Sequence, residues 1–189
     1  AIGLNFIDVY HRTGLYPQDL PFTPGVEGTG VVEGLGSGVN DLQVGDRVAY
    51  TGNGLVGSYR EGRVLPRSRL FVVPDSIDDD TAAAIMLKGC TVEYLVRRTY
   101  AVKSGDWVLL HAAAGGVGLL ASQWLKALGA HVIGTVGSEE KAELAEANGC
   151  EHTILYREED VPARVKEITQ DRGVDVVYDS VGAATFHGS

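Results

Sequence analysis

The chain is poor in sulfur, with two cysteines and one methionine in 189 residues, and it has no apolar run of membrane-spanning length. Cys90 and Cys150 lack a CxxC partner or a nearby His/Cys set, which excludes a zinc ribbon and a disulfide framework. Both are expected to be buried free thiols. The N-terminus lacks a charged segment followed by an apolar one, as a secretory leader would require, so a cytoplasmic location is expected. Positive charge is scarce too. Sixteen Lys and Arg stand against 25 Asp and Glu, a net charge of -9, which argues against broad attraction to nucleic acid or anionic membranes. There are no internal repeats and no low-complexity segment.

What the chain does have is centred on residues 107–130, WVLLHAAAGGVGLLASQWLKALGA. Trp107 to Ala112 is a short apolar run after the turn residues Ser104-Gly105-Asp106, as a buried parallel strand requires. From Val117 the apolar positions take helical spacing, and Gly129 stands where a helix C-terminal glycine belongs. The turn between them, Ala113-Ala114-Gly115-Gly116-Val117-Gly118, is a dinucleotide-binding turn with its first glycine replaced by Ala113. Gly115 would let a pyrophosphate approach the main chain, Gly118 would let helix and strand pack closely, and the helix N-terminus offers NH groups to the anion. A tight turn in some other α/β protein is the alternative; a strand before, a helix after and a second strand at His131–Thr135 favour nucleotide binding.

Residues 1 to about 75 have no helical periodicity and read as all-β, with strands at 28–34, 47–50, 59–64 and 70–73 and turns at Gly36-Ser37-Gly38, Gly45-Asp46 and Gly52-Asn53-Gly54. Asp78-Asp79-Asp80 starts a helix, and Gly89 separates it from a second helix at about 91–100. Beyond the glycine turn the pattern alternates: a helix from Glu139 with Ser138 as N-cap, a strand at 152–156, a helix at about 161–170 with Pro162 in its first turn, and a strand at 174–178. Alternating β and α imply a parallel sheet. Only the first half of a doubly wound domain plus one strand is visible, so the chain is expected to be a fragment of a longer protein.

An NAD site places Asp or Glu at the end of the second strand to hold the ribose hydroxyls. Here that place reads Thr135-Val136-Gly137-Ser138, without an acid. Ser138, Lys141 and Tyr156 instead offer donors and one cation, which suit a 2'-phosphate and hence NADPH. Each has a bland alternative: a helix cap, a lysine paired with Glu139 or Glu140, a rim aromatic. Of the histidines, His111 is expected to be a satisfied core residue.

The runs NFIDVYHRTGLYP (5–17), PGVEGTGVVEGLGSGV (24–39), GDRV (45–48), LKGCTVEYL (87–95), HAAAGGVG (111–118) and YDSVG (178–182) resemble the zeta-crystallin-like NADPH:quinone oxidoreductases of the medium-chain dehydrogenase/reductase superfamily, most of all the bacterial quinone reductases. The resemblance implies an α/β protein, with a GroES-like catalytic β domain at 1–86 and a Rossmann NADP-binding domain at 87–189, both incomplete, and the active site in the cleft between them. It implies a cytoplasmic homodimer as the full-length protein, acting on a small-molecule quinone. Where zinc-dependent relatives place a ligand Cys, this chain has Asn5, and where they place His-Glu it has Val26-Glu27; no metal is therefore expected. Carried over, the resemblance implies that Asn5, Phe6 and Tyr10 border the nicotinamide and that Thr91 and Tyr94 lie against the cofactor. Gly115, Gly116, Val117 and Gly118 would face the pyrophosphate, Gly137, Ser138, Lys141 and Tyr156 the 2'-phosphate, and Ser180 the adenosine side. Tyr10 and Tyr16 are candidates for the quinone pocket, with plain packing as the other possibility. The expected activity is NADPH-dependent, zinc-independent quinone reduction. The alternatives are reduction of enals or enones, and a non-catalytic NADPH-binding or RNA-binding crystallin-like protein; the negative charge disfavours RNA.

Overall fold

The computed structural model describes residues 1–52, 54 and 56–189, which form two compact units, Ala1–Cys90 and Thr91–Ser189. In the first, strands β1 (Glu27–Val31), β2 (Arg47–Thr51) and β3 (Phe71–Val72) form an antiparallel sheet in that order, with Glu27 opposite Thr51 and Val48 opposite Val72. Val32, Leu42 and Val48 form one small core, and Ala49, Val73 and Ala82 another.

Four expectations for this unit need correction. Phe6–Thr13 is a helix, α1, closed by Gly14 at φ 77°. Its buried residues are Asp8 and His11, whereas Phe6 and Val9 face solvent, so an apolar periodicity count passes over it. The strand expected at 59–64 is absent. The loop is tied instead to residues 24 and 25, through Tyr59 N–H to Pro24 C=O and Gly57 N–H to Gly25 C=O, and Val64 is fully exposed. The expected turn at 52–54 lies partly outside the described residues. The third correction is at Gly89, which does not break a helix: α2 runs unbroken over Asp79–Tyr94 and continues as a wider turn over Leu95–Thr99. A glycine inside a helix costs about 1 kcal/mol relative to alanine, less than sixteen residues of cooperative helix recover. Asp78 caps α2, its carboxylate accepting from the Thr81 N–H at 2.8 Å. Cys90, expected buried, is exposed, whereas Cys150 is buried as expected.

In the second unit, β4 (Trp107–Leu110), β5 (His131–Val136), β6 (His152–Leu155) and β7 (Val176–Tyr178) form a parallel sheet in the order β6-β5-β4-β7. Helices α3 (Gly116–Ala127), α4 (Glu139–Ala147) and α5 (Val161–Ile168) connect them. One face of the sheet is covered by the core of Val108, Leu110, Leu125, Val132 and Val136, and the other by that of Leu109, Ile133, Ile154 and Val165. The strand order turns back at β4, which is where a doubly wound sheet opens a crevice at its carboxyl edge. The α4 and α5 predictions hold to within two residues at their ends, and Asp160 caps α5 by accepting from Ala163 N–H.

Candidate functional site

The glycine turn leaves β4 at Leu110 and enters α3 at Gly116. Ala113 is completely buried and donates its N–H to Thr135 C=O, so the turn is fastened to β5. Gly118 is mandatory on steric grounds: a Cβ there would sit 2.5 Å from both the Ala112 and Ala113 carbonyl oxygens. A Cβ on Gly115 would lie 3.1 Å from Ala112 O, while Gly115 and Gly116 themselves are exposed. Main chain is thus presented to solvent at the N-terminus of a 12-residue helix, the arrangement that receives a pyrophosphate. Val117 is half-buried against the core.

Gly137 and Ser138 follow β5 and open α4. A Cβ on Gly137 would meet the Tyr156 hydroxyl at 2.9 Å, so this phenol lies over the turn. Tyr156 is anchored there by its N–H to Val136 C=O. Ser138 holds the N-cap position, but its hydroxyl makes no cap bond, unlike the capping expectation. Lys141 lines a groove of about 500 Å³ together with Ala114 of the glycine turn, Glu140, Glu143 and Leu144. Among the described residues Lys141 forms no ion pair, with Glu139 and Glu140 included. Gly137, Ser138 and Tyr156 are therefore together, with Lys141 one helical turn away. Ser180 is exposed just beyond β7, Thr91 is half-buried on α2 and Tyr94 is exposed at its end.

His111 is buried between Thr135 Oγ1 (3.0 Å) and Ser189 Oγ (3.1 Å), satisfied as expected. Burial pulls its pKa below the usual imidazole value, and the charge of Asp179 restores part of it.

In the first unit the structure builds a polar cluster around Asn5. Its Nδ2 donates to Glu27 Oε1 at 2.6 Å, and its Oδ1 accepts from Lys88 Nζ at 2.8 Å. Glu27, with no exposed surface, also accepts from Leu87 N–H at 2.6 Å and from Lys88 Nζ at 3.2 Å. The amide is thus held in one orientation by a cation on one side and a carboxylate on the other. Asp8, also buried, accepts from Asn5 N–H at 3.0 Å and from the Tyr59 hydroxyl at 3.2 Å. Burial and then the Asp8 charge raise the Tyr59 pKa. Tyr10 packs between Phe6 and Tyr16, with ring centroids 5.6 and 5.3 Å away, and Phe6 and Tyr16 are exposed.

Glu27, Lys88 and Asp8 were not among the site residues read from sequence. Glu27 and Lys88 are 61 positions apart, and no local pattern announces their meeting. Zinc does not fit this cluster. An ammonium already contacts both Asn5 and Glu27, where a metal would need their lone pairs and would meet a like charge.

Residues 1–75 match the alcohol dehydrogenase GroES-like domain family, and residues 116–189 match the zinc-binding dehydrogenase family. A quinone oxidoreductase of Pseudomonas aeruginosa is 54% identical over all of this chain and 58% of its own length. A 2-haloacrylate reductase of a Burkholderia species is 48% identical, with 100% of this chain and 58% of the relative covered. The crystal structure of Escherichia coli quinone oxidoreductase complexed with NADPH superposes with a TM-score of 0.95 at 49% identity, over 99% of this chain and 57% of that one. The chain thus spans somewhat over half the length of the curated relatives it matches. With a GroES-like half, a dinucleotide-binding half and this degree of identity, the chain belongs to the medium-chain dehydrogenase/reductase superfamily as a homologue of the bacterial quinone oxidoreductases.

Proposed function

We propose that this chain is part of an NADPH-dependent, zinc-independent reductase of quinones, with residues 1–86 as the catalytic part and 87–189 as the NADP-binding part. The observation that carries this assignment is the end of β5. The ribose-binding acid of an NAD site is missing there, and Gly137, Ser138 and the Tyr156 hydroxyl converge on a helix N-terminus, with Lys141 close by. NADPH when bound supplies hydride, and reduction of a quinone to a hydroquinone consumes that hydride and one proton. The chain's own part is to bind and orient. Gly115 to Gly118 receive the pyrophosphate; Thr91, Tyr94 and Ser180 contact the cofactor. Asn5, Phe6, Tyr10 and Tyr16 border the nicotinamide and the quinone, with Asn5 held in register by Glu27 and Lys88. A quinone suits a site without Lewis acid because it is strongly electrophilic and its product is aromatic.

A second reading, reduction of a conjugated carbon–carbon double bond, draws support from the similarity to a 2-haloacrylate reductase. Initial rates with NADPH on benzoquinones and on alkenals separate the two. Higher kcat/KM on quinones supports the first, and the reverse order overturns it.

A further inference from the structure

We propose, building on the NADPH assignment above, that Arg157 is a specificity-determining residue for the cofactor's 2'-phosphate, a role that neither motif nor periodicity gives it. Tyr156 N–H is bonded to Val136 C=O, and its hydroxyl lies over Gly137, so the tyrosine ring stands at the β5–α4 turn. The Arg157 guanidinium stacks over that ring, 5.8 Å from its centroid. The next acid but one does not neutralise it. Glu159, in the β6–α5 connection, is held by Leu155 N–H at 2.7 Å and by Arg164 at 2.8 Å. Among the described residues Arg157 forms no ion pair, so its fork of donors is uncommitted. A dianionic phosphate held by Ser138, Lys141 and Tyr156 has, in this proposal, a second cation beside the tyrosine ring. Guanidinium is suited to that place because it can stack on a ring and still offer two parallel N–H groups to phosphate oxygens.

Adenosine 2',5'-bisphosphate and adenosine 5'-monophosphate differ only in the 2'-phosphate, and calorimetric titration of each measures its contribution. The wild-type chain should bind the bisphosphate more tightly. Arg157→Ala should weaken the bisphosphate by about fivefold to tenfold and the monophosphate by less than about twofold. Arg157→Lys should fall between, keeping the charge without the fork; far-UV circular dichroism checks that both variants fold. Equal weakening of both ligands, or none, with the wild-type preference intact, overturns the Arg157 role and leaves the NADPH assignment standing. A wild type that does not distinguish the two ligands overturns the NADPH assignment and the Arg157 role with it.

Discussion

Replacing Lys88 with methionine tests whether the Asn5–Glu27–Lys88 cluster is a closed electrostatic unit. The Glu27 side chain has 0% exposure and that of Lys88 21%. Lys88→Met removes the one cation paired, among the described residues, with that carboxylate and a donor to the Asn5 amide oxygen. Breaking a buried ion pair costs about 3–5 kcal/mol, chiefly from the charge left behind. Glu27 keeps two short hydrogen bonds, from Asn5 Nδ2 and Leu87 N–H, and Lys88 is partly solvated, so the lower end, about 3 kcal/mol, is expected. Against a typical total of about 5–15 kcal/mol this is a large fraction. Both tryptophans, Trp107 and Trp124, lie in the second unit, so their fluorescence would miss the event. Urea unfolding followed by far-UV circular dichroism, with amide exchange on β1 and β2, reads it directly. The double variant Lys88→Met/Glu27→Gln should recover most of the loss, because neither charge is then stranded. A single variant within about 0.5 kcal/mol of wild type, or a double no more stable than the single, would refute the reasoning.

Gly118→Ala forces a Cβ to 2.5 Å from two backbone carbonyl oxygens; a loss of at least about 3 kcal/mol in the second unit, with cofactor binding abolished, should be seen in thermal melts and titrations. Gly89→Ala should do the opposite. Its Cβ would meet nothing within 4 Å inside a regular helix, so a gain of about 0.5–1 kcal/mol in urea unfolding is expected, and a loss would mean that the glycine has another role. His111 has a pKa lowered from 6.5, so the stability it contributes is complete above that value and is lost as pH falls through its lower folded-state pKa. Thermal stability of the second unit should therefore decline as pH falls below about 6.5, and His111→Gln should flatten that decline; an unchanged slope would assign it to another group.

Much of the second unit was legible in sequence because its strands are covered on both faces. WVLL and HVIGTV therefore stand out as continuous apolar runs, and α3 repeats its apolar positions at helical spacing. The glycines of the turn were legible for a related reason: a close backbone approach admits no other residue, whatever its surroundings. The first unit was harder. Helix α1 turns a polar face inward, so the pattern that normally marks a buried face was inverted, and Asp8 with His11 passed unread. The 59–64 segment has the residue types of a strand, but Tyr59 N–H goes to Pro24 C=O and Arg60 N–H to Ser58 C=O rather than to a neighbouring strand. Lys88 was hidden in LKGCTVEYL because its partners come from residues 5 and 27. Arg157 was hidden in the open, next to Tyr156 but inside a charged run that reads as solvated surface.

The most direct test of the NADPH assignment is a fluorescence titration of wild type and Lys141→Ala with NADPH and with NADH. Loss of a charge-assisted contact to the 2'-phosphate, about 1.5–3 kcal/mol, should weaken NADPH about ten- to a hundredfold and leave NADH nearly unchanged. Equal losses for both cofactors, or no loss for either, would contradict the assignment and return Lys141 to the helix surface.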